Sequence, residues 1–109
     1  RSAIAQTAET VFTQLLPERQ RLARHIFLQL TELGEGTQDT RRRVKMEELT
    51  VPGRDTSEVR AVLNTLAEAR LVTLDDDTAE VAHEALIREW PTLREWLNQD
   101  REALRLLTA

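Results

Sequence analysis

Hydrophobic positions recur along this chain with two periods, one near 3.6 residues and one near 2, and the places where one gives way to the other divide it into elements. Over residues 2–16, Ile4, Ala8, Val11, Phe12 and Leu15 fall at helical spacing with Thr and Gln between them, which predicts an amphipathic helix ending at Leu16. Pro17 suits the first position of a second helix, because its fixed φ and missing amide hydrogen cost nothing there. Leu22, Ile26, Leu30 and Leu33 then carry one stripe to Leu33, and Phe27 and Leu28 make this helix apolar enough to be central. Residues 34–40 hold two glycines and short polar side chains that compete with helix hydrogen bonds, so a loop is expected.

Over residues 41–46 the period shortens to two. Val44 and Met46 alternate with basic residues as in a half-buried edge strand, and Met46–Leu49 fits a brief helix. After a break at Val51, Pro52 and Gly53, the oxygens of Asp55, Thr56 and Ser57 are available to cap a third long helix carrying Val59, Val62, Leu63 and Leu66, with Ser57 read as a cap. Residues 71–74 are β-prone, 75–78 form a turn, and 79–83 return as the antiparallel partner. Beyond this hairpin, Leu86, Trp90, Leu93, Leu97, Leu104 and Leu107 lie on one stripe interrupted by Pro91. Proline breaks a helix interior but is tolerated in a first turn, which predicts a short helix over Glu84–Glu89 and a restart at Pro91.

This order predicts a mainly α chain with a small β-hairpin wing: a winged helix, helix-turn-helix-like, with extra N-terminal and C-terminal helices. A hairpin is marginal alone, so the wing needs a helical face over its apolar side. The expected division is a linking helix at 1–16, the winged helix at 17–90, and a C-terminal helix at 91–109 that packs on it or leads to a further domain. No internal repeat interrupts the pattern.

Composition changes this picture mainly by exclusion. At 109 residues, 40% hydrophobic and 31% charged, the chain suits one modest core, and no apolar run approaches the roughly 20 residues a bilayer span requires. The absence of cysteine removes disulfides, thiolate zinc sites and cysteine nucleophiles, and a cytoplasmic setting is the expectation. The chain starts Arg1, Ser2, Ala3 without an initiator Met or a signal segment, so it reads as part of a longer polypeptide. A formal charge of -4 works against the attraction to phosphate backbones on which DNA binding rests.

Candidate chemistry is sparse. No Gly-x-x-x-x-Gly-Lys-Ser/Thr loop is present, and Gly34 and Gly36 lack the lysine and preceding strand of a phosphate cradle, so no ATP hydrolysis is expected from this chain alone. Asp75, Asp76 and Asp77 diverge in a tight turn without the alternation of a calcium loop and read as solvated. His25 reads as a helix-surface residue, and with only His83 besides, zinc is not expected. Trp90 reads as a core anchor at the helix junction, with Trp96 in the core or against a neighbouring domain. Arg41, Arg42, Arg43, Lys45 and Arg54 form the one basic cluster, open to phosphate, to an acidic partner or to water. A helix over 56–70 would be the recognition helix of a DNA-binding module, but Glu58 and Glu68 offset Arg60 and Arg70.

The stretch RLVTLDDDTAEVAHEALIREWPTLREWLNQDRE, with GEGTQDTRRRV upstream, resembles the region that follows the nucleotide-binding core in bacterial STAND-type NTPases, a class related to apoptotic ATPases and plant resistance proteins. The resemblance covers nearly the whole chain and is most specific over residues 83–96. It implies a regulatory winged-helix module of a signal-transduction ATPase, often followed by WD-type β-propeller repeats, with ADP or ATP and Mg bound by the parent protein rather than by this piece. Its partners would be the NTPase core and the propeller of the same polypeptide.

In that class a Met-His-Asp motif opens a helix of the winged-helix domain, and its histidine reaches the β-phosphate of bound ADP. Here Ala82, His83 and Glu84 stand in a similar place, with Ala for Met and Glu for Asp. The resemblance therefore implies His83 as a phosphate-contacting residue and Glu84 as its orienting partner. Imidazole chemistry suits the role, since one ring nitrogen can donate to a phosphate oxygen while the other is oriented by a carboxylate or carbonyl, and a helix N-terminus favours an anion. The competing reading is that His83 only ends the wing strand and satisfies a backbone carbonyl. A DNA-binding module and a structural spacer remain the alternatives for the chain as a whole.

Overall fold

A computed structural model describes residues 2–108, without the side chain of Thr108. Arg1 and Ala109, the outer ends of the first and last expected segments, lie outside the described residues. The elements are α1 (Ala3–Gln14), α2 (Pro17–Gln29), β1 (Thr31–Glu32), β2 (Thr40–Arg41), β3 (Val44–Lys45), a 3-10 turn at Met46–Leu49, α3 (Thr56–Glu68), β4 (Val72–Asp75), β5 (Thr78–Val81), α4 (Glu84–Glu89) and α5 (Pro91–Thr108). The chain is thus mainly helical with a small antiparallel wing, as the hydrophobic pattern predicts, and the two-stranded pairing of β1 with β2 is an addition to the expected order.

Local chemistry sets the boundaries. The Ser2 hydroxyl accepts from the Ala5 amide and starts α1, while Pro17 opens α2 at its first turn. The second helix stops at Gln29, four residues short of the expected Leu33. There the Thr31 hydroxyl donates to the Phe27 carbonyl at 2.9 Å, and the chain turns into β1, which pairs antiparallel with β2 in the register Thr31 to Arg41 and Glu32 to Thr40. The expected strand over 41–46 is therefore split, Arg41 belonging to one small sheet and Val44 to another, with Met46 already in the 3-10 turn.

Three strands make the wing in the order β3, β5, β4, all antiparallel, with Val72 opposite Val81 and Val44 opposite Ala79. Val44, Val72, Ala79 and Val81 point inward onto the helices, and the turn residues Asp75, Asp76 and Asp77 are exposed. Asp55, not Ser57, caps α3: its carboxylate accepts from the Ser57 amide at 2.9 Å, because the helix begins one residue before Ser57 and places that residue inside the first turn.

One cluster of buried side chains runs through the described residues. The central helix α2 and its C-cap contribute Leu22, Ala23, Ile26, Phe27 and Leu30, and α3 contributes Val59, Val62, Leu63 and Leu66. Leu86, Ile87 and Trp90 enter from α4 and its C-cap, followed by Leu93, Trp96 and Leu97 of α5. Trp90 and Trp96 meet edge to face with centroids 5.4 Å apart, and Trp90 also meets Phe27 at 5.2 Å. Their six-residue separation does not keep them apart, because Trp90 precedes the first turn of α5 and is not on its helical stripe. The stripe expected to continue to Leu107 is buried only as far as Leu97: Leu104 is 49% and Leu107 82% exposed.

Candidate functional site

His83 sits where the wing hands over to α4, and both sides of it are anchored. Before it, Val81 is fully buried and the Ala82 amide donates to the Leu71 carbonyl at 3.0 Å. After it, Leu86 and Ile87 are fully buried, and Trp90, the C-cap of α4, is 1% exposed. The His83 backbone is extended, φ -141° and ψ 133°, and its carbonyl accepts the Leu86 amide at 3.0 Å, closing the first turn of the helix. The histidine thus caps the helix through its backbone alone. Its imidazole caps nothing and lies exposed. The ring is not sealed in the core, and it does not satisfy a backbone carbonyl at the strand end.

Glu84 follows in the first turn of α4 and is half-buried, and no hydrogen bond joins its carboxylate to the His83 ring. A residue of the basic cluster does come close. Arg41 donates to the Ala82 carbonyl at 3.5 Å, which brings one residue of the basic run beside the residue that precedes His83.

The basic run divides where the chain passes between β2 and β3. Arg43 faces Glu80 of the wing at 3.7 Å, while Arg42 lines a groove together with Arg88, Arg94 and Arg101. Arg54 stands apart, half-buried between Glu58 at 3.3 Å and Glu18 at 3.9 Å. The five basic residues therefore do not form one patch.

The groove contains the feature that sequence reasoning missed. Asp39, with its side chain 2% exposed, accepts from the Gly34 amide at 2.8 Å, from Arg94 at 3.0 Å and from Arg101 at 2.9 Å. Burial alone would raise the Asp39 carboxyl, but the hydrogen bonds from Arg101, Gly34 and Arg94 outweigh it and hold the group below the usual carboxylate range. Arg101 is raised in turn by its bond to Asp39. This clamp ties the 34–40 loop to α5 and so fixes the chain that leads into Arg41. Gly34 belongs to the same structure, since a Cβ there would run into the Thr37 carbonyl.

A second carboxylate, Glu9 of α1, accepts from the Trp90 indole at 2.8 Å and from the Thr92 hydroxyl at 2.6 Å, holding α1 against the junction between α4 and α5. His25 is not a plain surface residue. It is half-buried with Nε2 enclosed and without a hydrogen-bond partner, and burial lowers its pKa, offset in part by its interaction with the Leu49 backbone. Among the described residues no group of three His, Cys, Asp or Glu is placed to hold a metal ion, and no helix is long and apolar enough to cross a membrane. The exposed positions of α3 include Ser57, Arg60, Asn64 and Glu68, one positive and one negative charge.

Comparison with known proteins gives one match. The family model described as novel STAND NTPase 1 covers residues 1–109. No curated protein and no solved structure matches the chain.

Proposed function

The chain belongs to the novel STAND NTPase 1 family, and from that premise we propose that it is a non-catalytic regulatory module, a winged helix that packs on the nucleotide-binding core of the same polypeptide and couples ADP or ATP binding to domain opening. The observation that carries this reading is the exposed His83 imidazole, which projects from a backbone fixed on both sides yet has no hydrogen-bond partner among the described residues. A side chain presented in this way is available to an adjoining surface. The neutral and protonated ring can both donate to a phosphate oxygen, which suits a contact with a bound nucleotide.

The residues fit such a ligand only from one side. The chain has no phosphate-cradling loop of its own, so the nucleotide, with Mg, would be bound by the NTPase core, and His83 would reach it across the interface between modules. Bound ADP would supply the anionic group that joins the two modules. In the closed state the His83 ring would donate to a phosphate oxygen. Loss of that contact on nucleotide exchange would favour opening, and a difference of about 1.4 kcal/mol between states already shifts the equilibrium tenfold. WD-type repeats would act downstream as a further partner in the same chain.

The test is His83→Ala in the full-length NTPase. ADP affinity should fall about tenfold, the size of one hydrogen bond to a charged group, and activation should need less stimulus, while the melting temperature stays unchanged. Unchanged ADP binding together with unchanged activation would overturn the proposal.

A further inference from the structure

We propose that Arg41 is a second phosphate-contacting side chain at this site, so that the diphosphate of the nucleotide is held by a guanidinium as well as by the His83 imidazole. This rests on the reading of His83 given above. It starts from the pairing of the arginines. Arg43 is engaged by Glu80, Arg54 by Glu58 and Glu18, and Arg94 and Arg101 by Asp39. Arg42 makes no ion pair among the described residues and lines the groove beside Arg94 and Arg101, with its backbone amide held by the Leu30 carbonyl. Arg41 is exposed, makes no ion pair among the described residues, and has as its partner the carbonyl of Ala82, the residue directly before His83.

Its position is fixed from two directions. The backbone of Arg41 pairs with Thr31 in the small two-stranded sheet, and Thr31 is buried and bonded to the end of α2. The loop that delivers the chain to Arg41 is closed by the Asp39 clamp onto α5. An arginine on such a support loses less freedom on binding than one on a free loop. Its single long bond to a carbonyl engages one of the five guanidinium N–H donors and leaves the charge uncompensated. A guanidinium so placed matches the fork geometry of a phosphate group, which an imidazole alone does not. Glu84, next to His83 in the chain, is paired with neither residue.

Nucleotide titrations of the full-length NTPase test this with Arg41→Ala, Arg41→Lys, Arg43→Ala and His83→Ala. Arg41→Ala should weaken ADP about tenfold and leave AMP, which lacks the second phosphate, unaffected. Arg41→Lys should recover only part of the loss, because a point cation lacks the fork. Arg43→Ala should bind ADP as the parent does. The proposal is overturned if Arg41→Ala binds ADP normally, if it weakens AMP and ADP equally, or if Arg43→Ala costs as much. When Arg41→Ala is silent and His83→Ala weakens ADP, only the arginine assignment fails. When His83→Ala is silent and Arg41→Ala weakens ADP selectively, the arginine contact stands and the histidine reading falls.

Discussion

At Asp39 a single carboxylate holds together parts of the chain 55 and 62 residues away, at Arg94 and Arg101. Replacing it with Asn keeps the volume but removes the charge and can turn an amide donor toward two guanidiniums. The expected loss is about 2 kcal/mol, at the lower end for a charged network because Arg94 and Arg101 keep 38% and 29% of their side-chain exposure. Urea denaturation of Asp39→Asn should show a lowered midpoint with an unchanged slope, and a midpoint equal to that of the parent would show that the clamp contributes nothing. This site was not legible in the sequence for a physical reason. Residues 34–40 read as a polar loop, and nothing local tells which distant cations a loop carboxylate will meet, although arginines seven apart on one face of the last helix were a usable signal. His83 was legible because its setting is local: an alternating strand that stops and a helical stripe that begins. The exposure of its ring is a matter of tertiary packing, which the alternation alone left open.

Helix ends show the same division between local and distant causes. Pro17 and Pro91 both open helices where the sequence placed them, since the missing amide hydrogen acts within one turn. The end of α2 was misplaced because Leu33 continues the apolar stripe, whereas Thr31 is drawn into pairing with Arg41 ten residues later. The end of α3 carries a feature no periodicity reveals. Arg70 has φ 64°, with its amide bonded to the Ala67 carbonyl at 3.0 Å and the next amide, of Leu71, to the Leu66 carbonyl at 2.9 Å. This is the paired closure that usually places glycine in the left-handed position, and a side chain there costs about 1 kcal/mol or more. Arg70→Gly should therefore stabilise the domain by about 0.5 to 1 kcal/mol, after allowing for the extra freedom glycine gains in the unfolded chain. Thermal unfolding gives the sign directly. A lower melting temperature for Arg70→Gly would mean that the Arg70 side chain supports the turn by contacts that outweigh its backbone strain.

Over the whole molecule, His25 and Asp39 make stability depend on acid from different places, and their losses begin at different pH. His25 packs on the turn at Met46–Leu49, and burial lowers its pKa from 6.5; Asp39 is lowered from 3.8 by its arginine and amide partners. In both cases the unfolded chain takes up a proton before the folded one, so acid favours unfolding. For His25 the full stability is present above 6.5 and is lost as pH falls from there to the lower folded value. For Asp39 it is present above 3.8 and lost as pH falls further. A plot of unfolding free energy against pH should be level near neutrality, decline first below about 6.5, and gain a second contribution to the decline below about 4. His25→Gln should remove the first decline and leave the second, whereas Asp39→Asn should lower the whole curve and weaken the second. Because the core joins α2, the wing and α5 in one cluster, both losses should appear in the same cooperative transition rather than as separate unfolding steps. Persistence of the first decline in His25→Gln would place its origin elsewhere and remove His25 as the cause.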